Sequence, residues 1–300
     1  MHTRGHPPKL VLLGLAALAA AGCGRGRVSA QAARPTAPVV SSSVAGELES
    51  APRSVESEVP APQITSDWSV PARYQGQIAE RPRGFSRKIV ALTFDDGPEP
   101  AITPQILRHL ADYGANATFF VIGYKATDRR ELLKKEAEAG HAIGDHSWSH
   151  TESPPRSRAQ PEVHDTALVI QEAVGRAPTC FRPPCGKTGT AQSREAAAEG
   201  LAIVNWTVHS VDTKKGITSD QILRNVSHVR PGDIILMHDG SLHQATANAV
   251  PTLLEKLSEE GYECVTVPEM LRAWDEWLAQ GGDAKAVAPR PRHRPASKPD

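Results

Sequence analysis

The chain has 300 residues, a formal net charge of zero, 23% charged residues and 5% aromatic residues. That balance excludes a strongly basic nucleic-acid binder and offers no global field to gather a polyanion. The length suits one large domain or two small ones.

In chain order, residues 1–23 place Arg4 and Lys9 ahead of an apolar run from Leu10 to Ala21. The run is shorter than the about 20 residues a spanning helix needs. It follows the basic, apolar, small-residue layout of an export signal. Its end, "LAAAGC", resembles a bacterial lipoprotein cleavage box with Cys23 as the acylated residue and Ala20 where Leu is usual. Plain secretion after cleavage at small residues is the alternative. Residues 24–85 are rich in Ala, Pro, Ser, Arg and Glu, the composition of a disordered tether. Residues 281–300 read as a basic, Pro-rich disordered tail. The expected address is the bacterial cell envelope, lipid-anchored to the membrane, or the secreted fraction.

Residues 86–280 read as one folded unit in which short β-branched runs alternate with helical stretches. The strand candidates are "KIVALTF", "ATFFVIG", "HAIGDHS", "TCFRPP", "LAIVNWTV", "DIILMHD" and "YECVTV". Between them stand helical stretches such as "TPQILRHLADYG", "DRRELLKKEAEAG", "SREAAAEG", "SDQILRNVSHV", "VPTLLEKLSEEG" and "VPEMLRAWDEWLAQ". Ser219 and Asp220 mark a helix start, and Gly114, Gly140, Gly200 and Gly261 mark helix ends where a positive φ is wanted. The alternation predicts a parallel α/β fold. The span is short for a complete eight-fold barrel of about 250 residues, so a distorted or incomplete (β/α) barrel of about seven strands is expected. An open doubly wound sheet is the alternative topology. The placement of polar residues favours the barrel: Asp95 and Asp96, His146 and His150, Arg182, Asp212 and His238 all end or follow strands, and a barrel gathers such ends at one mouth.

Two adjacent aspartates after a buried strand require a partner, because buried carboxylates are costly alone. His146 and His150, combined with one carboxylate, make an N,N,O set with open positions. That set suits catalytic Zn²⁺, with Co²⁺ or another divalent transition metal as alternatives. The second aspartate then stands beside activated water as a base. Arg182 offers it a bidentate fork, stiffened by Pro183 and Pro184, and His238 is placed to protonate a leaving group. Metal, base, orienter and acid together describe metal-assisted hydrolysis of a carbonyl compound.

These stretches resemble the polysaccharide deacetylase domain of carbohydrate esterase family 4, which includes the nodulation-type chitooligosaccharide deacetylases, over roughly residues 87–270. "TFDDGP" is similar to the first family motif, implying Asp95 as base and Asp96 as metal ligand. "HSWSH" is similar to the second, implying His146 and His150 as the remaining ligands. "RPP.G" resembles the third, implying that Arg182 orients the base. "LMHDG" resembles the fifth, implying Leu236 at the acetyl pocket and His238 as the acid. Two positions depart from the pattern. Cys185 stands for an aromatic residue whose backbone is implied to help hold the oxyanion. In the fourth motif, "HSVDT" keeps Asp212 but has His209 for an aspartate that tunes the acid and Thr213 for a tryptophan. The resemblance implies removal of N-acetyl groups, with O-acetyl groups as the alternative, from an extracytoplasmic polysaccharide such as peptidoglycan or a chitin-like glycan. A catalytically weakened glycan-binding module on the same fold is the competing reading.

The remaining candidates divide between cleft and core. Pro184, Cys185, Leu236 and Trp206 are the expected substrate-side residues, although Trp206 also suits the core. Trp148 reads as packing, Trp274 and Trp277 as the seal of the last helix, His141 as a surface residue at a strand start, and His243 as a further cleft candidate. Cys180, Cys185 and Cys264 allow at most one intramolecular disulfide, and all three suit free, buried thiols. The expected partner is an acetylated polysaccharide or oligosaccharide, with no nucleic acid, and the protein is expected to be a monomer.

Overall fold

The computed structural model describes residues 66–282. The leader with Cys23, the segment up to residue 65 and the tail beyond residue 282 lie outside the described residues. Among the described residues are nine strands: β1 (Ile78–Ala79), β2 (Ile89–Gly97), β3 (Ala117–Val121), β4 (Ala142–Asp145), β5 (Cys180–Phe181), β6 (Ala202–Val204), β7 (Val208–His209), β8 (Ile234–His238) and β9 (Glu263–Cys264). Eight α-helices alternate with them: α1 (Thr103–Asp112), α2 (Gly123–Asp128), α3 (Arg130–Glu138), α4 (Arg156–Val174), α5 (Ala191–Ala198), α6 (Ser219–Asn225), α7 (Gln244–Glu259) and α8 (Val267–Ala279).

Every strand pairing is parallel, in the order β1-β6-β5-β4-β3-β2-β8-β7, with β9 beside the first residues of β2. The order itself forces a curl. β6 and β7 are joined by only Asn205, Trp206 and Thr207, a stretch reaching about 14 Å at most. Six strand spacings separate them along the sheet, about 29 Å if flat. The sheet therefore bends back on itself into an incomplete barrel, and the chain crosses its open seam at Asn205–Thr207.

Alternation along the strands gives this barrel two faces. Ile89, Ala91, Phe120, Ala202, Val204 and Ile234 point inward and join Met270, Leu271 and Trp274 of α8 in one buried cluster. Leu92, Phe94, Phe119, Ile235 and Met237 point outward and are covered by Ile106, Leu110, Leu133, Ile170 and Leu254 from α1, α3, α4 and α7. Trp274 and Trp277 thus seal α8 as the helical spacing predicts. Trp148 packs on the outer cluster.

Local signals explain several boundaries. Thr218 caps α6 with a reciprocal box to Gln221, so Ser219 and Asp220 are the first two helical residues. Thr266 and Glu269 make the same box at α8. Gly114, Gly140, Gly200 and Gly261 have the positive φ expected after helices.

The expected tether reaching residue 85 is corrected by the core. Trp68, Val70, Tyr74 and Phe85 are buried, and the Trp68 carbonyl accepts a hydrogen bond from Thr179. The folded unit therefore begins well before residue 86, because these large apolar side chains cover both clusters. Trp68→Ala is expected to destabilise the domain by about 3–5 kcal/mol, measured by denaturant titration.

Candidate active site

The C-terminal ends of the strands deliver the predicted side chains to one mouth. Asp95 on β2 is the register partner of His238 on β8, so both face inward from neighbouring strands. Arg182 follows β5, His146 and His150 follow β4, and Asp212 lies after β7.

Arg182 is fully buried and ties the interior together. Its Nη1 donates to Asp95 Oδ1 and to Thr93 Oγ1, both at 2.7 Å; its Nε donates to the Val204 carbonyl at 3.1 Å and its Nη2 to the Asn205 carbonyl at 3.3 Å. The expected bidentate fork is thus corrected to a single-nitrogen contact with Asp95, since the other donors satisfy carbonyls of β6 and the seam. The guanidinium also lies 4.1 Å from the Phe120 ring centroid. Asp95 is 2% exposed, and the Arg182 guanidinium at 2.7 Å gives this buried carboxyl group its partner.

Asp96 faces the two histidines. Its Oδ1 lies 3.6 Å from His146 Nε2 and 3.4 Å from His150 Nε2, and it has no hydrogen-bond partner although buried. His146 Nδ1 donates to the Arg182 carbonyl at 2.7 Å, which leaves the Nε2 lone pair aimed at Asp96. Ligands held about 2.1 Å from a tetrahedral ion are about 3.4 Å apart, which the two distances from Asp96 approach, and all three donor atoms lie within 4.8 Å of one another. Burial alone would raise the Asp96 carboxyl, but His146, His150, His238 and Lys125 outweigh it and hold it below its ordinary range. Burial holds the His146 imidazole low, against the pull of Asp95 and Asp96, and so favours the neutral ligand form.

Asp212, His238 and His243 also bring three donor atoms within 4.8 Å of one another. Hydrogen bonding separates the two groups. Asp212 Oδ1 accepts from His238 Nδ1 at 2.8 Å, and its Oδ2 accepts from the His238 N–H and from Thr246 Oγ1, both at 2.8 Å. With its oxygens filled, Asp212 is a hydrogen-bonded partner of His238, while the orphaned Asp96 oxygen suits a cation. Burial opposes the charge on His238, yet the Asp212 hydrogen bond and the carboxylates of Asp212, Asp95 and Asp96 raise it to about 9. His243 stacks on His238 with ring centroids 5.0 Å apart.

The loop that carries His146 and His150 is held by buried acids. Asp145 accepts from the Ser147 N–H at 2.7 Å, Ser147 Oγ accepts from the His150 N–H at 3.1 Å, and Glu162 of α4 accepts from Ser149 N and Oγ, each at 2.8 Å. Burial raises the Asp145 carboxyl well above its usual range. Asp96, Ser147, His150 and Cys185 all have positive φ, between 54° and 72°. Four non-glycine residues in that region around one site mark backbone strain concentrated at the mouth. Lys125 donates to the Asp96 carbonyl at 2.8 Å and holds that turn.

The model of the polysaccharide deacetylase family matches residues 83–204. A peptidoglycan-N-acetylglucosamine deacetylase of Bacillus cereus is 35% identical over 192 residues, 62% of this chain and 90% of that protein. The chain belongs to the polysaccharide deacetylase family. PgdA, a peptidoglycan-N-acetylglucosamine deacetylase of Listeria monocytogenes, is 39% identical over 202 residues, 65% of this chain. That match takes in 41% of PgdA, so this chain spans about two fifths of that relative's length. A family 4 acetyl xylan esterase of Clostridium thermocellum, solved in complex with a cobalt ion, is 32% identical with a TM-score of 0.58. The match covers 65% of this chain and 93% of the esterase.

Within this polysaccharide deacetylase fold, further expectations are corrected. The aspartate touching His238 is Asp212, which is present; His209 is exposed and its Nδ1 accepts from the Val211 N–H at 2.9 Å. The altered fourth motif therefore leaves that pair intact. His141 is 2% exposed rather than superficial: its ring lies 5.4 Å from Phe119, and burial lowers it to about 4. The three cysteines are free, but Cys185 is exposed, with its Sγ donating to Glu152 at 3.3 Å, and Cys264 is half-buried. Leu236 is buried on β8 two residues before His238, and Pro184 is buried beside Cys185. Trp206 is half-buried outside the core clusters, edge-on to His209 at 5.5 Å and against Gly186. Thr93, Thr246, Lys125 and Glu162 were not anticipated. Thr93 was findable, because it lies two residues before Asp95 and must share its strand face.

Proposed function

We propose that the chain is a metal-dependent deacetylase acting on an acetylated extracytoplasmic glycan, with peptidoglycan as its substrate and N-acetyl groups as the group removed. The observation that carries this is the unpartnered Asp96 oxygen between two imidazoles, flanked by an arginine-held carboxylate and an aspartate-held imidazolium. Asp96, His146 and His150 would hold the divalent cation, Zn²⁺ or Co²⁺. Such a cation supplies Lewis-acid polarisation of a carbonyl oxygen and makes water more acidic.

The chain's own residues do the rest. Asp95, fixed by Arg182, accepts the proton of the attacking water. The backbone N–H of Cys185, on its strained turn, supplies a donor to the oxyanion. His238 carries a proton at neutral pH and gives it to the departing amine, while Asp212 fixes its tautomer. Leu236, Pro184, Cys185 and Trp206 form the walls around the acetyl group and sugar. The intact acid dyad weighs against the glycan-binding alternative.

The peptidoglycan assignment draws on the names of the Bacillus and Listeria relatives. Export through residues 1–23, with acylation of Cys23 and a bacterial envelope address, belongs to the same reading. Acetate release from peptidoglycan, chitooligosaccharides and acetylated xylan tests it. Chelation is expected to abolish release and Zn²⁺ or Co²⁺ to restore it, with no restoration in His146→Ala. Release that survives both chelation and that substitution would overturn the proposal.

A further inference from the structure

The two imidazoles beside Asp96 are held by different means. His146 is buried and fixed through its own ring, because Nδ1 donates to the Arg182 carbonyl at 2.7 Å. His150 is half-buried, and its ring makes no hydrogen bond to the described residues. That ring lies 3.4 Å from Asp96 Oδ1 and tilts against the His146 ring with centroids 4.9 Å apart. A metal-ligating histidine is normally oriented by a hydrogen bond from its other ring nitrogen. With no such bond, the aim of His150 depends on its backbone.

That backbone is strained. Ser147 and His150 have φ of 67° and 58°, a region where non-glycine residues persist only when the surroundings over-determine them. Inside the loop, Asp145 and Ser147 hold the first turn. From outside it, the grip comes from Glu162 of α4, which is 3% exposed. Its Oε2 accepts from the Ser149 N–H and its Oε1 from Ser149 Oγ, both at 2.8 Å. Its carbonyl also accepts from the Trp148 N–H at 2.7 Å. Glu162 thus clasps the residues immediately before His150. Gln192 of α5, fully buried, clasps those immediately after: its Nε2 donates to the Thr151 carbonyl at 3.0 Å and to the Glu152 carbonyl at 3.4 Å.

We propose that Glu162 is a positioning residue that sets the cation affinity of the site through His150, with Gln192 as its counterpart on the far side of the ligand. The carboxyl of a distant helix takes the place of the ring partner that His150 lacks. Without the clasp, ordering the loop when a cation binds costs conformational entropy that the folded chain has otherwise already lost. The proposal rests on the deacetylase reading, in which His150 is a ligand, and adds the residue that makes this ligand effective.

The test titrates the full chain with Zn²⁺ and, separately, with Co²⁺ by calorimetry. Labelling with ¹⁵N-histidine follows the His146 and His150 ring signals of the cation-free protein, each assigned from its alanine variant. Glu162→Ala is expected to weaken either cation by about 10–100-fold, the usual loss when an outer partner of a ligand is removed. Glu162→Gln, whose amide oxygen can still accept one Ser149 bond, is expected to fall between Glu162→Ala and wild type. In both variants the His150 signal is expected to change while the His146 signal stays. Melting temperatures check folding. Should Glu162→Ala not fold, Ser149→Ala, at an exposed position, removes the Oγ bond alone and is expected to weaken the cation in the same direction. Affinity equal to wild type in the variants that fold, or equal changes at both histidines, overturns the role of Glu162 and leaves the deacetylase reading standing. A wild type that binds neither cation overturns that reading and this proposal with it.

Discussion

Asp95→Asn is expected to lower kcat by about 10²–10⁴-fold while the bound divalent cation stays in place, whereas Asp96→Asn is expected to lose the cation. The contrast tests how two adjacent carboxylates divide their work. Both approach His146 Nε2 to 3.6 Å, so distance to that ligand does not separate them. Their other contacts do. Asp95 is committed through Oδ1 to Arg182, while Asp96 Oδ1 is unpartnered and also within 3.4 Å of His150. Asparagine tolerates the positive φ of position 96 as aspartate does, so the turn should survive and the loss be one of charge and affinity. At position 95 the amide oxygen can still accept from Arg182, but the guanidinium becomes a buried, uncompensated charge. Breaking such a pair costs about 3–5 kcal/mol, so a lower melting temperature should accompany the lost activity. Metal content by elemental analysis, with kcat on one acetylated glycan, reads both variants. Cation lost from Asp95→Asn but kept by Asp96→Asn would reverse the roles.

The part of this site legible in the sequence was the part carried by residue type and spacing. Paired aspartates after a strand, two histidines four apart, an arginine before two prolines and a histidine closing an apolar strand each announce chemistry. All of them meet at one mouth in the structure. What stayed hidden depended on contacts between distant segments. "LAIVNWTV" reads as one strand, yet β6 lies second from one end of the sheet and β7 at the other end, because Asn205–Thr207 must carry the chain across the seam. β1 has two residues and no period to detect, and Trp68 sits in a polar, Pro-rich stretch that gives no sign of folding. α4 is the longest helix among the described residues, but it begins in a Ser/Pro/Arg segment and contains Pro161. The fate of the fourth motif was also out of reach. Only the 2.8 Å bond from His238 to Asp212 shows that having His209 in place of an aspartate leaves the partner of His238 intact.

That bond sets the last expectation, a pH profile. His238 acts while protonated, and its value of about 9 lies above the ordinary 6.5, so proton donation is available through neutral pH and fails as pH rises toward 9. A cation on the Asp96 side repels that proton, so the alkaline limb of the loaded enzyme falls at or below about 9. Asp212→Asn removes the charge and leaves only a neutral hydrogen bond to His238, so burial pulls that group down against Asp95 and Asp96 alone. The alkaline limb is therefore expected to move to lower pH in that variant, together with a fall in kcat. Stability follows the same signs. The raised His238 contributes stability that is full below about 6.5 and is lost as pH rises through about 9. Asp212 is lowered from 3.8: burial raises it, but the bonds and charge of His238 and the Thr246 bond prevail, so its contribution is present above about 3.8 and is lost on further acidification. The pair therefore supports the fold most between about pH 4 and 6.5, and melting temperatures of wild type and Asp212→Asn should converge on either side. A gap that persists unchanged at pH 10 would mean that Asp212 acts through packing and its Thr246 bond, with no charge shared with His238.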